Sequence, residues 1–342
     1  MRKLLNTLYV TLPEAYLAKD GENVVVRVDN EERFRIPIHN LEGIVSFGYP
    51  GASPALMNHC AVNDVALTFL TEHGRYLAKV VGPVSGNVLL RRRQYRMADV
   101  EIETVKLAAA FIAGKITNSR TVLQRALRDH RSLENPLLLW TIKRLGQLIK
   151  TLEECQNLDV IRGIEGEAAK IYFTVLNDLI LTDKDVFYLR GRTRRPPRDN
   201  MNALLSFIYT LLRHDVVSAL ETVGLDPAVG FLHRDRPGRP SLALDLMEEL
   251  RPYLADRLAL SLVNRKQVTP SGFRTKETGA IYMQSKTRTI VLTAWQKRKQ
   301  EVITHPYLDE KIPIGLLAYV QAMLLTRYLR DDIDGYPPFF WK

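Results

Sequence analysis

Several side chains in this 342-residue chain are of kinds, and at separations, that support metal and phosphate chemistry. The first set lies in Gly163-Ile164-Glu165-Gly166-Glu167-Ala168-Ala169-Lys170-Ile171-Tyr172-Phe173. On a helix, Glu165, Ala169 and Tyr172 fall at i, i+4 and i+7 on one face, and the flanking glycines let a backbone or ligand come close. A helix-start glutamate favoured by the macrodipole accounts for the same carboxylate without chemistry. The second set is His233 and the helix predicted after Pro240, with Ser241 as its N-cap and Asp245 and Glu248 at i and i+3 on one face. Inward-facing acids on a largely apolar helix need a partner, either a divalent metal or an arginine. His233 is near enough for its loop to fold back onto the first turns of that helix, although a hydrogen-bonded structural histidine is the plainer reading.

One histidine with two or three carboxylates suits Mg²⁺ or Mn²⁺, and not structural zinc, which wants four Cys or His ligands. Such an ion organises a phosphodiester, activates an attacking hydroxyl and stabilises the leaving oxygen. Basic clusters make up the third set. Arg91, Arg92, Arg93 and Arg96 surround Gln94 and Tyr95, and Arg190, Arg192, Arg194, Arg195 and Arg198 flank Pro196-Pro197. Lys297-Arg298-Lys299 follows Trp295. Arginine grips phosphate through its planar fork, and an adjacent aromatic can stack on an unpaired base. A solvated charged face is the alternative for any single cluster.

The elements that must position these groups divide in two. Short β-branched or aromatic runs at 8–11, 24–26, 34–36, 44–47 and 65–70 predict strands, with turn pairs at Asp20-Gly21, Asp29-Asn30 and His73-Gly74. Ser53-Pro54 predicts an N-cap followed by proline at the first helical position. After the turn-rich stretch 82–87 the period changes to about 3.6, predicting helices near 88–97, 99–115, 119–129, 135–154, 161–181, 200–223, 241–264, 289–303 and 312–330. The expected fold is therefore α+β: a small β-rich N-terminal domain (1–82), a linker (83–90) and a larger all-α helical domain (91–342).

Composition agrees with a globular chain, being 46% hydrophobic and 25% charged. It excludes disorder, collagen and disulfide scaffolds, and two cysteines fit a reducing cytoplasm. The longest uncharged run, Ile312 to Thr326, is shorter than the about 20 residues that cross a bilayer, and Asn6, Thr7 and Pro13 break any signal-peptide core. The expectation is a cytoplasmic protein with no membrane role. Net charge is +10, and it is unevenly spread: residues 1–80 hold 8 basic and 9 acidic side chains, the remainder 40 and 29. That asymmetry is the electrostatic footprint of a polyanion binder.

Taken together these segments resemble the universal CRISPR-associated integrase family, the DNA-joining endonuclease of CRISPR adaptation, with a tone like the type I-C subtype. The resemblance is carried by Gly86-Asn87 with Arg91 and Gln94, the Glu165 segment, Asn202 to Leu212, Gly224 to His233, and Arg239 to Pro252. It implies that Glu165, His233 and Glu248 hold the metal. Asp245 occupies the family's other acidic position on that helix, and Glu248 stands where many relatives have Asp, so either acid is a candidate ligand. Glu167 and Glu249 are expected to be structural. The resemblance also implies double-stranded DNA as substrate, a homodimer joined through the β-rich domains, and a small ferredoxin-like adaptation partner bridging two dimers into a heterohexamer. Two rivals stay open: a structure-selective nuclease that hydrolyses branched DNA, and a non-catalytic DNA-binding scaffold whose acids pair with arginines. A small-molecule enzyme finds no support, since the chain has no Gly-rich phosphate loop and no Ser or Cys nucleophile motif.

Overall fold

The computed structural model describes residues 7–12, 14–41, 43–48, 51–72, 76–82, 88–193 and 196–341. The expected turn at His73-Gly74, the stretch 83–87 with Gly86 and Asn87, and the pair Arg194-Arg195 lie outside the described residues. Contacts group the chain into two compact units, one of residues 1–86, 292–301 and 313–316, the other of residues 87–291, 302–312 and 317–342.

The first unit is β-rich. Strands β1 (Thr7–Val10), β5 (Gly43–Phe47), β7 (Ala66–Leu70) and β8 (Tyr76–Lys79) form one four-stranded sheet in the order β1-β5-β7-β8, parallel except for β8. Strands β2 (Tyr16–Asp20), β3 (Asn23–Val28), β4 (Glu31–Pro37) and β6 (Gly51–Ala52) form the second, in the order β4-β3-β2-β6. The β3–β4 turn is made by Asp29 (φ 53°) and Asn30 (φ 64°), residue types that tolerate the left-handed region a tight hairpin requires. Ser53 caps α1 (Pro54–Val62) by accepting from Leu56 N–H at 3.2 Å. Leu17, Val24, Ile44, Leu56, Cys60 and Leu67, all excluded from solvent, form the shared core. Strand β4 keeps its edge charged, with Arg35 paired to Glu32 and Asp20.

The second unit is built on helices α2 (Val88–Ala98), α3 (Glu101–Asp129), α4 (Pro136–Glu153), α5 (Leu158–Val175), α6 (Lys184–Phe187), α7 (Asn200–Thr222), α8 (Ser241–Leu250), α9 (Arg257–Asn264) and α11 (Leu317–Leu329), with α10 (Ser285–Gln300) crossing from this unit into the first. It is not all helix: β9 (Phe273–Thr275) pairs with β10 (Ile281–Met283), and β11 (Val302–Thr304) with β12 (Lys311–Pro313), each as a two-stranded ribbon. Helix α7 is long and apolar enough to cross a membrane, but more than half of that stretch is buried in the protein, as in a core helix.

Two predicted boundaries are corrected. The break expected between 115 and 119 does not exist, because α3 runs unbroken for 29 residues. Asn118, which favours a turn in isolation, is fully buried there and spends its side chain on distant backbone: it donates to Glu249 O at 2.7 Å and Phe339 O at 2.8 Å, and accepts from Trp341 N–H at 2.8 Å. The single helix expected over 241–264 instead carries a π-helical turn at Arg251–Asp256 between α8 and α9. Pro252 has no N–H and its ring crowds the preceding turn, so the widened turn accommodates it.

Helix α3 packs against α4, α5 and α8, and α7 against α8. One turn beyond α8, buried Asp256 accepts from Tyr209 OH at 2.6 Å and Tyr172 OH at 3.1 Å. Burial outweighs these bonds and pushes its carboxyl from the ordinary 3.8 to about 6. A raised acid binds its proton longer in the folded than in the unfolded chain, so its contribution to stability is full below about pH 4 and is lost as pH rises through about 6. Thermal melts of wild type and Asp256→Asn should therefore show wild type losing ground as pH rises across that window, by about 1.4 kcal/mol per unit of displacement. A difference that does not vary with pH would contradict this.

Candidate metal and phosphate site

Helix α8 presents the central problem of the second unit. Every residue in it except Leu244 is buried, yet it carries Asp245, Glu248 and Glu249. Ser241 is not its N-cap; it is the first helical residue, and the N–H groups of Leu242 and Ala243 are satisfied by Pro227 O from the preceding loop. Burying ionised carboxylates is tolerated only when each finds donors or cations.

Asp245 spends both oxygens on the preceding loop. Its Oδ2 accepts from the N–H of Phe231 (2.6 Å) and Leu232 (2.9 Å), and its Oδ1 from the N–H of His233 (3.0 Å). His233 Nδ1 lies 2.5 Å from the same Oδ1. The carboxylate facing Nδ1 holds a proton there and fixes the ring, as it does behind carboxylate-backed metal ligands. The same loop is held from two more sides. Gln94 of α2, fully buried, donates to Asp226 O (2.8 Å) and Val229 O (2.9 Å) and accepts from Asp226 N–H (3.0 Å). Arg162 of α5, one turn before Glu165, donates to Leu232 O through Nε (3.0 Å) and a terminal nitrogen (2.8 Å).

Glu248 points elsewhere. Its Oε1 pairs with Arg251 at 2.6 Å, and its Oε2 lies 2.7 Å from Lys115 Nζ, off the line of a hydrogen bond. Burial pushes its carboxyl up, but the positive fields of Arg251, Lys115 and His233 prevail and hold it at about 2. Lys115 of α3, itself buried, also donates to Glu165 Oε1. Glu165 sits well inside α5, whose start is capped by Asn157, so the helix-start explanation of this carboxylate fails. Among the described residues nothing lies within 4 Å of where a Cβ would stand on Gly163 or Gly166, so the helix beside Glu165 is bare.

The adjacent acids behave differently. Glu249 accepts from Tyr336 OH (2.5 Å), Gln321 Nε2 (3.0 Å) and Phe339 N–H (2.6 Å), and burial among these neutral donors raises it to about 7. Gly114 allows this approach, since a Cβ there would stand 2.7 Å from that of Glu249. Glu167, half-exposed, pairs with Arg144 at 2.6 Å.

Among the described residues no three His, Cys, Asp or Glu side chains stand in metal-holding geometry; a lysine ammonium joins Glu165 and Glu248 instead. The donor set nonetheless fits a hard divalent ion: Glu165 and Glu248 converge on one positive charge, and His233 acts on Glu248 with its Nδ1 committed to Asp245. Lys115 was missed in the sequence. The available signal was a lone lysine inside the apolar run Leu107 to Ile116.

The basic clusters fare unevenly. Arg92 and Arg96 are exposed and Arg91 half-buried, while Arg93 is tied to Asp331 (3.1 Å) and Leu329 O (3.3 Å). Arg198 is exposed. Arg192 bonds Asn202 Oδ1 and stacks over Tyr209 (5.1 Å) and Phe173 (5.6 Å). Lys297 is exposed, but Arg298 pairs with Glu301 at 2.5 Å, Lys299 is buried, and Trp295 is a core residue at 2% exposure that cannot stack on a base.

A Cβ on Gly230 would stand 2.8 Å from Asp245 Oδ2 and from the carbonyl carbon and Cβ of Ser241. Gly230→Ala should therefore push the His233 loop off Asp245 and destabilise the protein by about 1–3 kcal/mol, visible as a lowered melting temperature. A melt indistinguishable from wild type would mean that the loop has slack this geometry denies.

The chain matches the family model described as CRISPR associated protein Cas1 over residues 8–297. It is 54% identical, over the whole of both chains, to a CRISPR-associated endonuclease Cas1 of Chlorobaculum tepidum, and 50% identical over the whole of both to one of Rhodospirillum rubrum. Its fold is similar to a Cas1 protein from Thermotoga maritima (TM-score 0.83, 22% identity, 98% of this chain and 100% of that one) and to a casposase bound to an integration product (TM-score 0.85, 19% identity, 99% and 95%). It is also similar to a chain of a Cas6-RT-Cas1–Cas2 complex (TM-score 0.83, 22% identity, 99% of this chain and 36% of that one).

Proposed function

The chain belongs to the Cas1 family of CRISPR-associated proteins, and from that premise we propose that it is a divalent-metal-dependent DNA endonuclease and integrase. In this reading it inserts short foreign DNA segments into a CRISPR array by attack of a 3′-hydroxyl on a phosphodiester. The observation that carries the reading is the convergence of Glu165 and Glu248, from separate helices, on one buried positive charge, the same helix α8 also holding His233 through Asp245. Glu165, Glu248 and His233 would hold Mg²⁺ or Mn²⁺, and Asp245 would position rather than ligate, since both of its oxygens are engaged by the loop. Such an ion, when bound, lowers the cost of the negative charge that develops on the phosphodiester.

The rest falls to the chain's own groups. The bare helix face at Gly163 and Gly166 lets a DNA backbone reach Glu165 without clash. Asp245 keeps the imidazole in one tautomer and one orientation. Exposed Arg92, Arg96, Arg198 and Lys297 supply sequence-independent phosphate affinity that weakens steeply with salt. Arg91, Arg93, Arg192 and Arg298 belong to the same proposed set, none of them free of interactions within the chain, and Arg194 and Arg195 join it from outside the described residues. The proposed assembly is a homodimer through the β-rich unit, bridged in the cytoplasm by a small ferredoxin-like partner into a heterohexamer. A Cas2-containing complex among the structural neighbours supports such a partner.

The test is strand joining. Purified protein, with and without its partner, is incubated with labelled duplex and a supercoiled repeat-containing plasmid in Mn²⁺, Mg²⁺ or chelator. Plasmid-linked label that requires metal is expected, and Glu165→Ala should lower joining by about a hundredfold or more while leaving DNA binding largely intact. Undiminished joining by that variant would refute the assignment, and shortened strands without joined ones would favour the branched-DNA nuclease.

A further inference from the structure

Lys115 is the part of the site that the proposed chemistry leaves without a role. It is 8% exposed, on a stretch of α3 where Phe111, Ile112, Gly114 and Ile116 are also buried. A buried ammonium persists only where anions compensate it. Its anions are Glu165 and Glu248, which come from two other helices and which no hydrogen bond joins directly. Arg251 meets the other oxygen of Glu248. The lysine thus holds the two carboxylates at one point and occupies the position that a divalent cation would need. Two cations cannot keep the same oxygens at contact distance, and the unbranched lysine stem gives the ammonium freedom to withdraw.

We infer that Lys115 is the internal counter-ion of the metal-free site, holding Glu165 and Glu248 together until a divalent ion displaces it. The inference rests on the metal reading above. It follows that the lysine competes with the ion and weakens its apparent affinity, as any contact that stabilises a non-binding state does. Its loss leaves two buried or half-buried carboxylates facing each other, so the metal-free protein is weakened and the metal-bound one is not.

The experiment uses the full chain and Mn²⁺ alone, following free ion by its paramagnetic resonance signal and stability by thermal melting. Lys115→Met should bind Mn²⁺ at least about tenfold more tightly than wild type. It should melt lower in chelator and gain more from added Mn²⁺. If the methionine variant does not fold without metal, Lys115→Gln, which keeps a donor but not the charge, carries the same comparison. Glu165→Gln tests the underlying reading separately. Wild-type Mn²⁺ binding by Glu165→Gln refutes the metal site and this inference with it. Loss of binding in Glu165→Gln together with equal or weaker binding in a folded Lys115 variant refutes the inference alone, making the lysine a permanent structural partner.

Discussion

Three carboxylates on a helix with almost no access to water form the constraint around which the helical unit is arranged. Each acid of α8 draws in a different segment of chain. Asp245 gathers the 231–233 loop through three backbone N–H groups and an imidazole. Glu248 takes Lys115 from α3 and Arg251 from the π-turn. Glu249 fastens the C-terminal segment, where Tyr336 and Phe339 donate to it and the Trp341 ring meets the guanidinium groups of Arg125 (4.0 Å) and Arg257 (4.2 Å). An unpartnered buried carboxylate costs several kcal/mol, so these tertiary contacts are obligatory and not decorative.

Neighbouring acids acquire opposite characters from this arrangement. Glu248 is surrounded by cations and held at about 2, whereas Glu249, one residue on, meets neutral donors and is raised to about 7. A side chain kept ionised suits ligation of a cation, and one close to neutrality suits a fixed hydrogen-bond node. The π-turn that follows α8 keeps Arg251 against Glu248 and brings Asp256 between Tyr172 and Tyr209, extending the polar network into the core. Such local widening of a helix is common beside functional groups.

Much of this was legible in the residues, and the failures have physical causes. The change from short β-branched and aromatic runs separated by turn pairs to a 3.6-residue period located the β-rich and helical regions, because a helix repeats its core-facing residues at that period. The placement of Asp245 and Glu248 on one turn, with His233 looping back, also follows from spacing. What spacing cannot decide is which acid meets which partner, since that depends on segments 12 to more than 100 residues away. The gap expected between 115 and 119 is closed because the C-terminal segment supplies hydrogen bonds to Asn118 and overrides its local preference for turns. Trp295 beside a basic run suggested a stacking platform, although its helix turns it into the core.

The proposed chemistry requires Glu165, Glu248 and His233 to share one divalent ion. Crystals of the protein grown with Mn²⁺ and recorded at the manganese absorption edge test this directly. An anomalous peak bounded by those three side chains is expected, with Lys115 withdrawn from both carboxylates and Asp245 still bonded to His233. A peak coordinated by other residues, or the two carboxylates still closed on Lys115 in saturating Mn²⁺, would contradict it.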